Sequence, residues 1–413
     1  MNVKQGVAAA NHRKTSLPLD AENVRLRPVI RTQKPISTSK KVYLPGLHGL
    51  RFLAAFSVFF GHLEQAKSWV GYPGFLDFPV AQSIAMASHG VTLFFVLSGF
   101  LITYLLLTEQ ETTGSVDIPQ FYTRRVLRIW PLYYLVTFLT FVVLPQIPAL
   151  QFPNLDMEIS GDFWKRLGLY LLLSPHVSNL LFAYPGVGGP LWSVGVEEYF
   201  YLTWPHAIKR LKSVLPWVFV AVIVMPVVFR SVGIKFQGSG LFKEFFGYAR
   251  FDCMGIGGLG AWMYFNHRKW TGIVFSWPIQ IAAYVLGILH MFYPFHYGRL
   301  NNTFYCLVFV VIIMNVGLNP RPLIKLENRF FRFMGEISYG LYVFQFLAIV
   351  ICINLVIHWG GIGNHHMRNV VILLGSFALT TGFASLSYFI YERKFLRLKA
   401  KYAPIAAGVT ARS

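Results

Sequence analysis

Long apolar segments separated by short polar ones dominate residues 43–395 of the chain. A stretch of about 17–25 apolar residues is long enough to cross a lipid bilayer as a helix. The pattern therefore predicts an all-α fold, a polytopic membrane helix bundle. The candidate spans are residues 47–66, 90–108, 129–147, 163–182, 191–207, 214–232, 250–265, 272–293, 303–318, 337–357 and 369–391.

The fourth of these segments, residues 163–182, is the least apolar because it carries Lys165, Arg166 and His176. Without it, both basic termini fall on the cytoplasmic side, and so do most of the Lys and Arg clusters between the spans, as the positive-inside rule requires. We therefore predict about ten transmembrane helices plus one interfacial or re-entrant segment. The basic residues that break the rule are Arg230, Lys235, Lys243 and Arg250.

The composition supports a membrane protein and argues against other classes. Of the 413 residues, 55% are hydrophobic and 13% are charged, and the mean hydropathy is +0.50, whereas soluble proteins carry roughly 25% charged residues. The net charge of +20 comes from short clusters between apolar segments, which favours a topological role over nucleic-acid binding. The cysteines lack metal-ligand spacing, and the sequence has no P-loop, zincin helix or dinucleotide-binding fingerprint, so we predict no metal and no permanently bound cofactor.

The same patterns divide the chain into three regions. Residues 1–41 are polar and basic and lack the apolar core of a signal peptide, which predicts a disordered cytoplasmic tail attracted to anionic lipid. Residues 42–396 hold all the candidate spans and form the predicted transmembrane domain. Residues 397–413 are predicted to be a short cytoplasmic C-terminal tail.

Two ionisable residues lie in the first apolar segment. Arg51 and His62 are eleven positions apart, so on a helix they lie within ~20° of the same face and ~16 Å apart along the axis. Ionisable groups inside a membrane span are costly, and by default they indicate function. The predicted topology places Arg51 in the cytoplasmic half of the span and His62 in the outer half.

Two adjacent carboxylates, Glu197 and Glu198, lie in the apolar run 190–205. If this span enters the membrane from outside at Trp192, both lie in its outer half, at the depth of His62. Adjacent helical residues point ~100° apart, so at most one of them faces His62. The other then pairs with Arg51, Arg250 or a backbone group. A purely structural ion pair remains the alternative for either glutamate.

Three arginines, Arg124, Arg125 and Arg128, precede the third span. Arginine forks suit phosphate oxygens, so a cluster at a cytoplasmic helix end suits a phosphorylated donor, although topological charge explains it equally well. Arg250 and Asp252 are further candidates for a polar cavity. Ser98 belongs to the same group, although for Ser98-Gly99 and for the glycines after Asp252 we favour helix packing.

The residues alone leave two functional classes open. In a transferase, His62 acts as the general base for an acceptor hydroxyl. In a secondary transporter of an anionic or sugar substrate, the same groups form a proton relay or an anion pathway.

In order along the chain, the motifs resemble those of the acyltransferase-3 family of integral membrane O-acyltransferases. The resemblance covers roughly residues 43–395. The matching positions are Arg51 and His62; residues 94–100; Arg124, Arg125, Arg128, Pro131, Tyr133 and Tyr134; Trp192, Ser193, Glu197, Glu198, Phe200 and Tyr201; Arg250 and Asp252; Ser338, Tyr339 and Tyr342; and Ser387, Tyr388, Glu392 and Phe395.

The resemblance implies transfer of an acyl group, commonly acetyl from acetyl-CoA, to a hydroxyl of an extracytoplasmic glycan or lipid-linked sugar in the bacterial inner (plasma) membrane. We expect residues 42–396 to form an acyltransferase transmembrane domain, and we expect the protein to be of the stand-alone type, without the C-terminal esterase-like domain that some relatives carry. Acyl-CoA would be a co-substrate, and nucleic acid is not an expected partner.

These expectations combine into one mechanism. Arg124, Arg125 and Arg128 hold the phosphates of the donor, whose thioester passes Arg51 and reaches His62. His62 takes the acceptor proton, and Glu197 or Glu198 orients its imidazole. An acyl-histidine intermediate is the second variant. Ser98, Trp192, Ser193, Arg250 and Asp252 are the further candidates for the cavity.

The chain departs from the resembled pattern at His48, Thr92 and Gln345. The family often has acidic residues at the first two positions and a histidine at the third. We expect these positions to influence acceptor choice or local pairing, and we do not include them in the catalytic set.

Overall fold

The apolar segments of the sequence form helices, and the polar segments connect them. The computed structural model describes residues 43–75, 79–150, 162–182, 186–232, 249–292, 301–358 and 364–402. Throughout these ranges the regular structure is helical, which confirms the predicted all-α class. The predicted N-terminal tail, Lys235, Lys243 and residues 403–413 lie outside the described residues.

The helices are numbered here in chain order. They are α1 (Leu47–Trp69), α2 (Val80–Thr113), α3 (Ile118–Phe138), α4 (Phe163–Leu171), α5 (Pro175–Leu181), α6 (Leu191–Arg210), α7 (Leu215–Val232), α8 (Phe251–Asn266), α9 (Arg268–Val274), α10 (Trp277–Phe292), α11 (Asn301–Leu318), α12 (Arg329–Glu336), α13 (Ser338–His358), α14 (His365–Ser387) and α15 (Arg393–Lys401). Turns of π-helix, Leu139–Val143 and Tyr388–Glu392, extend α3 and α14.

Length and apolar composition identify the helices able to cross a membrane. Five long ones qualify within the described ranges, and two shorter apolar helices accompany them: Val80–Thr113, Ile118–Gln146, Lys212–Arg230, Ser338–Val356 and His365–Lys399, with Trp277–Met291 and Asn302–Leu318 as the shorter pair. The protein is therefore an integral membrane helix bundle. The predicted number of about ten spans stays a prediction, because α1, α6 and α8 would also have to cross.

Several boundaries differ from those expected. Helix α2 begins at Val80 rather than near residue 90, and α3 begins at Ile118 rather than near residue 129. The start of α3 is defined by Asp117, whose side chain accepts a hydrogen bond from the Gln120 N–H at 3.0 Å. As a result, the three arginines of residues 124–128 lie inside a helix and not in a loop before it.

The segment 163–182 does not form a continuous helix. It contains α4, with 9 residues, and α5, with 7 residues, and Leu173 between them has a φ of 58°. Neither helix is long enough to cross a bilayer. The segment 272–293 is interrupted as well, because α9 ends at Val274 and α10 begins at Trp277.

Helix α2 lies at the centre of the bundle and packs against α1, α6, α8 and α11. Its approach to α8 depends on glycine. A Cβ atom on Gly99 would collide with the Met254 backbone, and one on Gly257 would collide with the Val96 carbonyl. The preferred interpretation of these glycines as packing positions is therefore confirmed.

Candidate active site

A cavity of about 110 Å³ lies among helices α1, α2, α3, α6 and α13. Apolar residues such as Phe94 and Leu97 form part of its wall. Its polar lining includes Arg51, Arg125, Arg128, Glu197, Tyr201 and Tyr342. Residues distant in sequence therefore meet at one polar cavity, including Arg51 from the first helix.

Glu197 is held in the cavity wall by two hydroxyl groups. Ser98 Oγ donates a hydrogen bond to Glu197 Oε1 at 2.8 Å, and Tyr201 Oη donates one to Oε2 at 2.7 Å. Both carboxylate oxygens are thus engaged by neutral donors and not by an arginine. Ser98 and Glu197, two of the predicted site residues, belong to the same local network.

The arginines of the cavity are not paired with acids. Arg51, Arg125 and Arg128 form no ion pair or side-chain hydrogen bond with another described residue. Arg125 lies over the rings of Phe121 and Tyr201, at 5.5 and 5.3 Å from their centroids. Its Nε atom is buried without a partner. These guanidinium groups leave positive charge available to a ligand.

Arg124 lies outside this cavity, unlike its neighbour Arg125. Its Nη2 forms an ion pair with Glu109 at 2.9 Å, and its Nη1 donates to the Tyr402 carbonyl at 3.1 Å. Arg124 and Arg128 are four positions apart on α3, a spacing that usually places two side chains on the same helix face. The helix instead directs Arg125 and Arg128, three positions apart, into the cavity.

His62 lies in a separate, largely apolar environment further along α1. Its ring packs on Phe346 with centroids 4.7 Å apart, and its Nδ1 is buried without a hydrogen-bond partner. The Gln345 side chain lies next to this imidazole, and its Oε1 is likewise buried without a hydrogen-bond partner. Because α1 is continuous, the backbone of His62 lies ~16 Å from that of Arg51.

The expected grouping of His62 with the two glutamates is not formed by the contacts of the described residues. Glu197 bonds to Ser98 and Tyr201, and Glu198 Oε2 accepts a hydrogen bond from Trp130 Nε1 at 3.4 Å. The reason is the start of α6. Residues 186–190 are already buried, and Val187 packs in the same cluster as Phe59, Leu63 and Phe346. Helix α6 therefore begins near the level of His62, and its glutamates lie further along the helix.

Helix α13 connects the cavity with His62. The hydroxyls of Tyr342 and Ser193 are 2.8 Å apart at the cavity wall, and Tyr342 Oη donates to the Pro190 carbonyl at 3.0 Å. One helical turn later, Gln345 Nε2 donates to the Tyr342 carbonyl at 2.7 Å. Three residues correspond to ~4.5 Å along a helix, so the cavity and the imidazole are near neighbours.

Tyr201, Tyr339, Tyr342 and Gln345 were not among the predicted site residues. A signal for each was present, because the tyrosines belong to the quoted motifs and Gln345 was one of the departures from the family pattern. Trp192 was predicted to line the cavity, but its described ring contact is with Phe95, at 5.9 Å between centroids. Ser193 does line it.

Arg250 and Asp252 belong to a different group of polar residues, the Asp252 cluster, which consists of Ser88, Thr92, Arg230, Arg250 and Asp252. Arg230 Nη2 lies 2.5 Å from Asp252 Oδ2, and this carboxylate is fully buried. Arg250 donates to Thr92 Oγ1 at 2.8 Å and to Ser88 Oγ at 3.2 Å. Both arginines broke the positive-inside rule, and both make contacts inside the protein.

A comparison with known proteins agrees with the resemblance of the motifs. The model of the acyltransferase-3 family, described as "Acyltransferase domain", matches residues 44–389. The chain belongs to this family. The matched range contains α1 to α14 and the cavity.

Curated relatives of the chain carry the names of O-acetyltransferases. The chain is 27% identical to peptidoglycan O-acetyltransferase OatA of Listeria monocytogenes over 75% of its length and 50% of the relative's. It is 28% identical to O-acetyltransferase OatA of Staphylococcus aureus over 75% of its length and 51% of the relative's. A putative peptidoglycan O-acetyltransferase, YrhL of Bacillus subtilis, is 33% identical over 40% of the chain and 23% of the relative. The matches thus cover about half the length of the OatA proteins and about a quarter of the length of YrhL. No solved structure matches the chain.

Proposed function

We propose that the protein transfers an acetyl group from acetyl-CoA to a hydroxyl of an extracytoplasmic glycan or lipid-linked sugar. The family and the names of its relatives support the reaction class. The observation that carries the proposal is the distribution of polar groups along α1. Unpaired arginines surround Arg51, and an imidazole with an unpaired nitrogen lies ~16 Å further along the same helix.

The arginines are assigned to the donor. Guanidinium groups form bidentate hydrogen bonds with phosphate oxygens, and those of Arg125 and Arg128 are not engaged by acids. Drug-sized ligands occupy roughly 300–1,000 Å³, so a cavity of about 110 Å³ holds only part of a coenzyme A thioester. The remainder then lies at the mouth of the cavity. Arg124 is not assigned to the donor because Glu109 holds it elsewhere.

The transfer step is assigned to His62. The thioester carbonyl passes Ser193 and Tyr342 and arrives beside the imidazole. His62 takes the proton of the acceptor hydroxyl, the hydroxyl oxygen attacks the carbonyl carbon, and the C–S bond breaks. The imidazolium then returns the proton to the departing thiolate. Gln345, and not Glu197 or Glu198, is the side chain positioned to orient the ring.

We further propose how the chain is oriented in the membrane. About ten helices cross the membrane, with α4 and α5 at its surface, and both termini are cytoplasmic in a bacterial plasma membrane. This orientation presents the Arg51 end of α1 to the cytoplasmic donor. It presents the His62 end to the acceptor on the opposite side.

Purified protein in liposomes, supplied with acetyl-labelled acetyl-CoA and a panel of glycan acceptors, tests the function. The proposal expects donor-dependent labelling of an acceptor, or slow thioester hydrolysis when no acceptor is present. Flux of a labelled anion or sugar across the liposome membrane without any thioester turnover would instead identify a transporter. A His62→Ala protein prepared in the same way controls for contaminating esterases.

A further inference from the structure

The C-terminal helix α15 is attached to α3, the helix that carries the cavity arginines. Near the start of α15, Tyr391 Oη donates to the Pro131 carbonyl at 3.4 Å, and at its end the Tyr402 carbonyl accepts from Arg124 at 3.1 Å. Helix α15, part of which the sequence assigned to a tail, therefore packs along the segment of α3 that runs from Arg124 to Pro131 and contains Arg125 and Arg128. The packing brings one lysine, Lys399, towards the arginines.

Lys399 differs from the other basic residues of this helix. Lys394 and Arg397 are exposed, whereas Lys399 is half-buried. Its electrostatic neighbours are Arg128, Arg125, Arg51 and Arg124, all of the same sign. With the other described residues it forms no ion pair.

An ammonium group that shares a half-buried space with guanidinium groups is repelled by all of them. The carboxylates that interact with Arg128 are Glu197 and Glu392, and hydroxyl groups donate to both oxygens of Glu197 and to Oε1 of Glu392. Four cations, Arg51, Arg125, Arg128 and Lys399, thus face two acids that do not pair with them. A multiply charged anion placed among them would remove the repulsion and satisfy their donors.

We propose that Lys399 is a further donor-binding residue, which α15 adds to Arg125 and Arg128 to complete a phosphate-binding site. The inference rests on the proposed function, because it takes the ligand to be a coenzyme A thioester. Lysine supplies a compact point charge beside the two planar guanidinium forks. The C-terminal helix is then part of the donor site and not only a tail.

The test compares Lys399→Gln, Lys399→Arg and the exposed control Lys394→Gln in the full-length protein. The thermal midpoint is measured without ligand and with acetyl-CoA, and the Kd for acetyl-CoA is measured directly. Removing the charge of Lys399 should leave the unliganded midpoint unchanged or raised, because repulsion is relieved. It should raise the Kd about tenfold or more and reduce the ligand-induced shift. Lys399→Arg and Lys394→Gln should bind as the wild type does.

Titration with 3′-dephospho-acetyl-CoA then locates the contact. If Lys399 holds the 3′-phosphate, the dephospho analogue binds wild type and Lys399→Gln equally. If it holds the pyrophosphate, the difference between the two proteins persists. A Lys399→Gln protein with a much lower unliganded midpoint, or with wild-type affinity for acetyl-CoA, would overturn the inference. Failure of the wild type to bind acetyl-CoA at all would overturn the proposed function itself.

Discussion

Two groups of arginines lie inside this helix bundle, and they differ in how their charge is balanced. In the Asp252 cluster, Arg230 contacts a buried carboxylate and Arg250 donates to two hydroxyl groups. In the cavity, Arg51 and Arg128 make no such contact with the other described residues. Both groups appear as basic residues among apolar ones, so composition alone does not separate them.

The two groups show what the presence or absence of a partner indicates about the role of a buried arginine. Removing charge from water is costly, so a buried arginine that contributes only to folding needs a permanent partner. An arginine kept unpaired beside a cavity has the features of a ligand-binding group. The adjacent residues Arg124 and Arg125 repeat the contrast, because Arg124 pairs with Glu109 while Arg125 faces the cavity.

The largest effect is expected at His62, whose imidazole is assigned to take the proton of the acceptor hydroxyl. General base catalysis contributes roughly 10²–10⁴-fold to a rate, so His62→Ala should reduce acetyl transfer by that factor while acetyl-CoA still binds. Initial rates with saturating donor and acceptor measure the effect. His89→Gln is the matched control, because His89 packs on Tyr305 at 4.1 Å and has no assigned role in transfer. Substantial transfer by His62→Ala would remove His62 from the mechanism.

The second largest effect is expected in the Asp252 cluster, where a substitution should lower the stability of the protein. Asp252→Asn leaves the largely buried Arg230 without its carboxylate, and breaking a buried pair costs about 3–5 kcal/mol, an upper figure here because the Arg230 side chain is 12% exposed. The thermal midpoint in detergent should fall clearly, with no change in the Kd for acetyl-CoA. The double variant Arg230→Gln with Asp252→Asn removes both charges and should recover part of the loss. Weakened donor binding in either variant would contradict the structural role.

The smallest effect is expected for an ion pair near the surface. Burial alone would raise the pKa of Glu327, but hydrogen bonds from Tyr43, the Gly46 N–H and Arg332 outweigh it and hold the pKa below its ordinary value. A carboxylate with a lowered pKa in the folded state stabilises the protein above its unfolded pKa of roughly 4.3. That contribution is lost as the pH falls towards the folded pKa.

The measurement is the thermal midpoint of wild type and Glu327→Gln as a function of pH. At neutral pH the variant should be slightly less stable, by less than about 1 kcal/mol, because solvent screens the pair with Arg332. The two midpoints should converge as the pH drops below about 4. A difference that grows on acidification would show that Glu327 does not stabilise the start of α1 through its charge.

Local properties of the chain were enough to predict much of this arrangement. The length of the apolar segments and the cost of buried charge are read directly from sequence. They predicted the helix bundle and drew attention to Arg51, Glu197, Arg125 and Arg128, which line the cavity. The glycines of α2 and α8 were also interpreted correctly, because a Cβ atom at Gly99 or Gly257 would collide with the backbone of the neighbouring helix.

The errors arose where a side chain's direction depends on distant structure. The depth of Glu197 follows from the buried residues 186–190 before α6, and these carry no apolar pattern that would indicate burial. The separation of Arg124 from Arg125 depends on Glu109 in another helix. Likewise, the pairing of Arg230 with Asp252 joins two helices, and neither sequence segment specifies it alone.

The most direct test of the central claim, that unpaired arginines bind the donor, compares Arg128→Gln with Arg124→Gln. The Kd for acetyl-CoA and the thermal midpoint are measured for both purified proteins. The account predicts that Arg128→Gln raises the Kd at least about tenfold with an undiminished midpoint. Arg124→Gln, which leaves Glu109 without its partner, should lower the midpoint and retain wild-type affinity. Wild-type affinity in Arg128→Gln, or a loss of affinity confined to Arg124→Gln, would contradict the account.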